Sequence, residues 1–121
     1  MSTNDEHDIG FQVESRLMSH GVYVTDFETT DGYELTYESA SAAETGVIQH
    51  REVGKVINVF LELHDDDWRG RPIHATVTDL DGRNLGRWHV TEDWLRALQT
   101  GDLTETAFSQ KVIDTIEPVA R

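Results

Sequence analysis

The chain contains no cysteine. That excludes disulfides, thiolate metal sites and a cysteine nucleophile. It also lacks any stretch approaching the roughly 20 apolar residues that span a bilayer, so no membrane partner is expected. Glycine-rich phosphate loops, G-x-S-x-G and H-E-x-x-H are all missing, which removes the sequence signatures of nucleotide binding, serine hydrolysis and zinc proteolysis. Lysine is scarce: Lys55 and Lys111 are the two, and every other basic residue is arginine. The opening MSTNDEHD is acidic and polar, opposite to the basic-then-apolar order of a secretory leader, so cytoplasmic residence is expected.

What the chain has in excess is acid. Asp and Glu number 23 against 10 Lys and Arg, a formal net charge of -13. In a small globule such a charge repels itself in dilute buffer. At about 1 M salt the Debye length falls to ~3 Å and the repulsion largely vanishes. The composition therefore predicts a halophilic protein. It also argues against a nucleic-acid partner, because that affinity comes from neutralising phosphates.

At 121 residues the chain suits one domain with a single core. Residues 1–8 are expected to form a disordered tail and 9–118 the domain. Ile9, Val13 and Leu17 recur at helical spacing, with Gly21 as the stop. "VYVTDFETTDGYELTYES" (22–39) predicts a hairpin. A three-residue turn with Gly32 as a bulge pairs Tyr23 with Ser39, Thr25 with Tyr37, Phe27 with Leu35 and Thr29 with Tyr33. This register gathers the aromatics on one face and Asp26, Glu28, Glu34 and Glu38 on the other. "SAAE" (41–44) has capping-box spacing. Val53, Val56, Ile57, Phe60 and Leu61 form a helical stripe ending near His64, with Gly54 inside it as a point of close packing on the sheet. The three aspartates of "HDDDWRGRP" belong in the loop that follows.

A second hairpin joins 72–80 to 83–90. A two-residue turn at Asp81-Gly82 pairs Ile73 with Val90, Ala75 with Trp88 and Val77 with Gly86, a coherent apolar face. Thr91 and Thr104 cap two closing helices; Gly101 ends the first and Pro118 the second. Val90 staples Leu95, and Leu103 staples Phe108. The predicted fold is α+β in two layers, of order αββαββαα, with a four-stranded, mostly antiparallel sheet and helices on one face.

Chemistry-bearing groups are thin. The second register sets His74 opposite His89 on the polar face, beside Thr76 and Arg87. A catalytic zinc needs three protein ligands and a structural one four, and local spacing supplies no third. "HDDD" (64–67) lacks the alternating ligands, central glycine and terminal Glu of a calcium loop, and "TDLDG" (78–82) reads as a turn. No catalytic residue, metal or cofactor is expected. One local departure remains. Arg69, Arg71, Arg83 and Arg87 lie between residues 69 and 90 against Asp79 and Asp81 alone. Arg87, His74, His89, Arg83 and Arg71 are therefore the candidate anion- or partner-binding residues, since guanidinium suits carboxylate and phosphate. The competing reading pairs these arginines with the chain's own acids, such as Asp65 to Asp67 and Glu34. Trp68, Trp88 and Trp94 are read as core anchors.

"TVTDLDGRNLGRWHVTEDWLRALQTGDLTETAFSQKVIDTIEP", "GYELTYES" and "REVGKVINVFLELHDDDW" resemble small uncharacterised haloarchaeal proteins of a domain-of-unknown-function family, over most of residues 9–118. The resemblance implies a haloarchaeal, cytoplasmic protein and carries no assigned activity. The opening helix and hairpin (9–39) also distantly resemble secretion-chaperone-like and YbjN-like domains, which bind proteins and often dimerise; here a helix follows two strands where those have three. The leading reading is a non-enzymatic protein-interaction domain, with a protein partner or a second copy of itself, a possible homodimer. The alternative is an enzyme or anionic-ligand-binding domain that uses the Arg/His hairpin.

Overall fold

The computed structural model describes residues 5–29, 32–63 and 71–119. Helix α1 (Asp5–Met18) buries Val13 and Leu17 completely. The Gly21 N–H donates to the Met18 carbonyl as the chain leaves the helix. Strands β1 (Val22–Glu28) and β2 (Tyr33–Ser39) form the first hairpin, with Phe27 opposite Leu35 as predicted. Nearer the start of β1 the ladder slips at Thr25. Tyr23 meets Glu38 rather than Ser39, and Val24 meets Tyr37 in place of Thr25. The bulge has a packing cause: strict alternation cannot turn Val22, Val24 and Phe27 inward together, and one extra residue can. Tyr23 is left on the outer face, 40% exposed.

Helix α2 (Ala40–Thr45) is capped by Ser39 rather than by Ser41. The Ser39 hydroxyl accepts from the Ala42 N–H at 3.0 Å. Gly46 closes this helix in a left-handed conformation, so α3 (His50–Leu63) is a separate element. Val53, Val56, Ile57 and Phe60 form its buried stripe. Gly54 does not approach the sheet: a Cβ built there meets nothing within 4 Å. The close approach is at Gly10, where a Cβ would lie 2.9 Å from the Phe27 ring. Asp65 to Asp67, Trp68 and Arg69 lie outside the described residues.

Strands β3 (Ile73–Thr78) and β4 (Asn84–Val90) pair Ile73 with Val90, Ala75 with Trp88 and Val77 with Gly86, as predicted. The route to that register differs. The Asp79 N–H donates to the Arg83 carbonyl and the Gly82 N–H to the Asp79 carbonyl, so Leu80, Asp81 and Gly82 make a three-residue loop. Gly82 takes the left-handed position at φ 85. An irregularity beyond Val77 then restores the apolar register, with Thr78 opposite Asn84.

Helices α4 (Glu92–Thr100) and α5 (Glu105–Ile113) start at the predicted caps, Thr91 and Thr104. Helix α5 stops at Ile113, and the chain turns into a further strand, β5 (Glu117–Pro118). Proline has no N–H to donate, so an edge position suits it. Gly86 makes room: a Cβ there would fall 2.7 Å from the Glu117 carbonyl oxygen and 2.6 Å from Ile48 Cδ1. The sheet among the described residues is thus five-stranded, ordered β1-β2-β3-β4-β5, where the sequence predicted four. It is mixed: β2 and β3 run parallel, joined through α2 and α3, while the other pairs are antiparallel.

The registers line up side chains in rows across the strands. Phe27, Leu35, Ala75 and Trp88 form one inward row, and Val24, Tyr37, Val77 and Gly86 the next. They share one core with Val13, Leu17, Val56, Phe60, Leu95 and Phe108 from the helices. Phe27, Tyr33 and Phe60 form a triangle of rings, with Phe27 5.9 and 6.2 Å from the other two and those 5.3 Å apart.

Candidate functional site

Alternation along the strands turns the polar residues outward, and the same registers order them. One outward row runs Glu28, Glu34, His74, His89, and the next runs Asp26, Thr36, Thr76, Arg87, Glu117. Charge is therefore segregated across the first four strands, with Glu117 of β5 beyond them. Asp26, Glu28, Glu34 and Glu38 lie on β1 and β2, whereas His74, His89 and Arg87 lie on β3 and β4.

His74 and His89 are direct cross-strand partners with ring centroids 5.7 Å apart, stacked at 26°. His89 stacks in turn on Trp94 of α4 at 6.0 Å, and the Lys111 ammonium sits 5.7 Å from the Trp94 centroid. The result is a column His74–His89–Trp94–Lys111, made by the immediate start of α4 after β4. Thr115 fixes its edge: its hydroxyl accepts from the His89 N–H at 3.0 Å. A hollow of about 450 Å³ beside the column is lined by Glu34, His74, Thr76, Arg87, His89 and Glu117, among others.

Of the five candidate residues, His74, His89 and Arg87 come together. Arg71 and Arg83 do not line that hollow. Arg71 lies over the Tyr33 ring at 5.7 Å and reaches the Thr29 carbonyl at 3.5 Å. Arg83 follows the Asp79 turn, where its N–H and that of Asp81 each donate to Asp79 Oδ1 at 2.9 Å. These bonds, that from Arg83 foremost, hold the Asp79 carboxyl below its usual range. Arg87 has an acid partner, though not Glu34: its Nε donates to Glu117 Oε1 at 2.9 Å. An anion entering the hollow would meet Glu117 on Arg87 and Glu34 beside His74.

Among the described residues, no three His, Asp or Glu side chains gather to hold a metal ion. None of their helices is long and apolar enough to cross a membrane. Trp88 is a core anchor, 1% exposed, while Trp94 is shared between the core and the column.

Sequence reasoning missed Glu117, Thr115 and Trp94 as neighbours of the histidines. All three come from beyond the hairpin, and no local spacing signals them. It also missed Glu52, a carboxylate buried to 7% exposure at the start of α3. In a chain with 23 acids, one more on a helix's first turn carries no signal.

No curated protein and no solved structure matches the chain. One family model does, over residues 3–121. The chain belongs to that family, described as Domain of unknown function (DUF8159).

Proposed function

We propose that this protein is a non-enzymatic protein-interaction domain, cytoplasmic and suited to concentrated salt, that pairs with a second copy of itself through the outer face of its sheet. The observation that carries the reading is the charge segregation of that face. A two-fold axis parallel to the strands, midway between β2 and β3, lays β1 and β2 of one copy over β4 and β3 of the other. Along the rows Glu28 then falls over His89, Glu34 over His74 and Asp26 over Arg87. Two-fold interfaces are the commonest in homo-oligomers, and they require this kind of self-complementary patch.

The alternative mode, pairing along the free edge of β1, is less favoured. That edge carries a bulge at Thr25 and the charges of Asp26 and Glu28, features that discourage strand addition. The existing Arg87–Glu117 pair is no obstacle. Both side chains are mostly exposed, at 73% and 65%, and pairs of that kind contribute about 0–1 kcal/mol. The hollow beside His89 supports anionic-ligand binding as a second reading, against which stand Glu34 and Glu117 in its wall.

Sedimentation velocity in potassium chloride from about 0.15 M to about 1 M tests the proposal. The charge of -13 on each copy must be screened before the faces meet, whereas pairs buried between them are screened much less. The wild type is expected to sediment as a dimer. Asp26→Arg and Arg87→Asp alone each shift it to monomer, and the two combined in one chain restore the dimer. A monomeric wild type at every salt and protein concentration, or a combined variant no better than the singles, overturns it.

A further inference from the structure

The second concavity that matters lies away from the histidine face, where α2 hands over to α3. It is a cleft of about 710 Å³ whose lining includes Ser41, Glu44, His50, Arg51, Glu52 and Lys55. Local bonds fix its walls. Thr45 Oγ1 accepts from the Val47 N–H at 3.2 Å and from Gln49 Nε2 at 3.1 Å. Ile48, 5% exposed, is seated in the core. The cleft is a depression open to solvent, with a volume within the ~300–1,000 Å³ range of small-molecule sites.

Glu52 is the group that asks for a ligand. Its side chain is more than nine-tenths buried, and Oε2 accepts from the Ser41 hydroxyl at 3.2 Å. Oε1 is buried with no hydrogen-bond partner. Buried carboxylate oxygens are almost always satisfied, because an unpaired one forfeits its hydration for nothing. That oxygen is sealed from solvent as it stands. An N–H donor in the cleft satisfies it once the carboxylate turns towards the cleft, which Glu52 and Glu44 both line.

The first turns of α3 bring cations to the same lining. Arg51 and Lys55 line the cleft, and neither has an ion-pair partner among the described residues. In a chain where acids outnumber basic residues 23 to 10, two cations set against Glu44 and Glu52 make the cleft locally balanced in charge. The cleft also sits at the N-terminal end of α3, which favours an anionic group. Val47 and Ile48 add an apolar stretch.

We infer that this cleft binds a free α-amino acid, its ammonium group donating to Glu52 and its carboxylate facing Arg51 and Lys55. A simple anion leaves Glu52 unsatisfied, and a simple amine leaves the two cations unused. The site is separate from the sheet face, and its test is indifferent to whether the protein dimerises.

The test is a titration of the labelled protein, followed by backbone amide shifts, with the standard L-α-amino acids added one at a time. At least one is expected to shift residues 41–55 saturably. Its N-acetyl derivative, which lacks the ammonium, and its carboxamide, which lacks the carboxylate, are expected not to. Glu52→Gln should weaken binding at least about tenfold, as loss of a charge-assisted hydrogen bond requires. Lys55→Met, at an exposed position, should weaken it without disturbing the fold. The same spectra report folding of each variant. No saturable shift with any amino acid, equal binding of the N-acetyl derivative, or unchanged binding by a folded Glu52→Gln overturns the assignment.

Discussion

The indole N–H of Trp88 donates to the phenol oxygen of Tyr37 at 3.0 Å, and both residues are buried. The bond reaches from β4 to β2 over the intervening β3, where the small Ala75 lies beside Trp88 in the inward row. It satisfies two polar groups that the apolar face would otherwise strand.

Tyr37→Phe removes the acceptor and leaves the indole N–H, which can only donate, unpaired in the core. The expected cost is about 1–3 kcal/mol of unfolding free energy, read from urea or guanidinium denaturation. A loss within error of zero would mean that the indole finds water instead.

Alkaline titration should separate the tyrosines. Burial above all holds the Tyr37 hydroxyl well above its ordinary value; the nearby Glu52 carboxylate adds to this, while the Trp88 donor opposes it. The neutral form is favoured by folding, so its stabilisation is complete below the unfolded value of about 10. It is lost as pH rises from there towards the folded value. Ultraviolet absorbance of phenolate should show Tyr37 ionising last, together with unfolding, and its ionisation in a still-folded chain would contradict the burial.

Two helix glycines should respond with opposite signs. Gly54→Ala adds a methyl where nothing lies within 4 Å, so the gain in helix propensity, about 0.8–1 kcal/mol, should appear whole. Gly10→Ala drives its methyl to 2.9 Å from a Phe27 ring that Tyr33 and Phe60 confine. Overpacking of this kind costs about 1–3 kcal/mol and should outweigh the propensity gain. Thermal melts of the two variants should fall on either side of the wild type.

Salt should stabilise the fold. With a net charge of -13, raising potassium chloride from about 0.01 M to about 1 M shortens the screening length from ~30 Å to ~3 Å and removes most of the self-repulsion. The melting temperature should climb over that interval. A flat or falling curve would show that the surface acids are already neutralised by local partners.

The Asp79 turn should loosen in acid. Its carboxyl is held below the ordinary range by N–H donors at the hairpin tip, Arg83 first. The stabilisation is present above pH ~4 and is lost as pH falls through the folded value. Carboxyl carbon shifts should show Asp79 titrating below the ordinary aspartate range, and Asp79→Asn should remove the acid-dependent loosening of the turn.

Much of the fold was legible because it rests on periodicity. Four-residue spacing placed the buried stripes of α1 and α3, Thr91 and Thr104 announced their helices, and alternation fixed the second hairpin's register. The His74–His89 pairing followed from that register alone. The first hairpin was legible only in part, since a bulge that moves Tyr23 outward satisfies inward packing of Val22, Val24 and Phe27 that alternation cannot express. The short strand β5 left no signal, because two residues have no period.

The candidate sites divide along the same line. Outside the bulge at Thr25, which side chains face outward was decided locally, by the two-residue repeat of a strand. Their company was decided by pairings between distant segments. The parallel contact of β2 with β3 sets Glu34 beside His74, β5 brings Glu117 to Arg87, and the junction of α2 and α3 buries Glu52 against Ser41. The amino-acid order by itself determined the composition of each face and the excess of negative charge. Only the tertiary structure decided how that charge is sorted and where a carboxylate is left wanting a donor, because those depend on contacts that no spacing along the chain encodes.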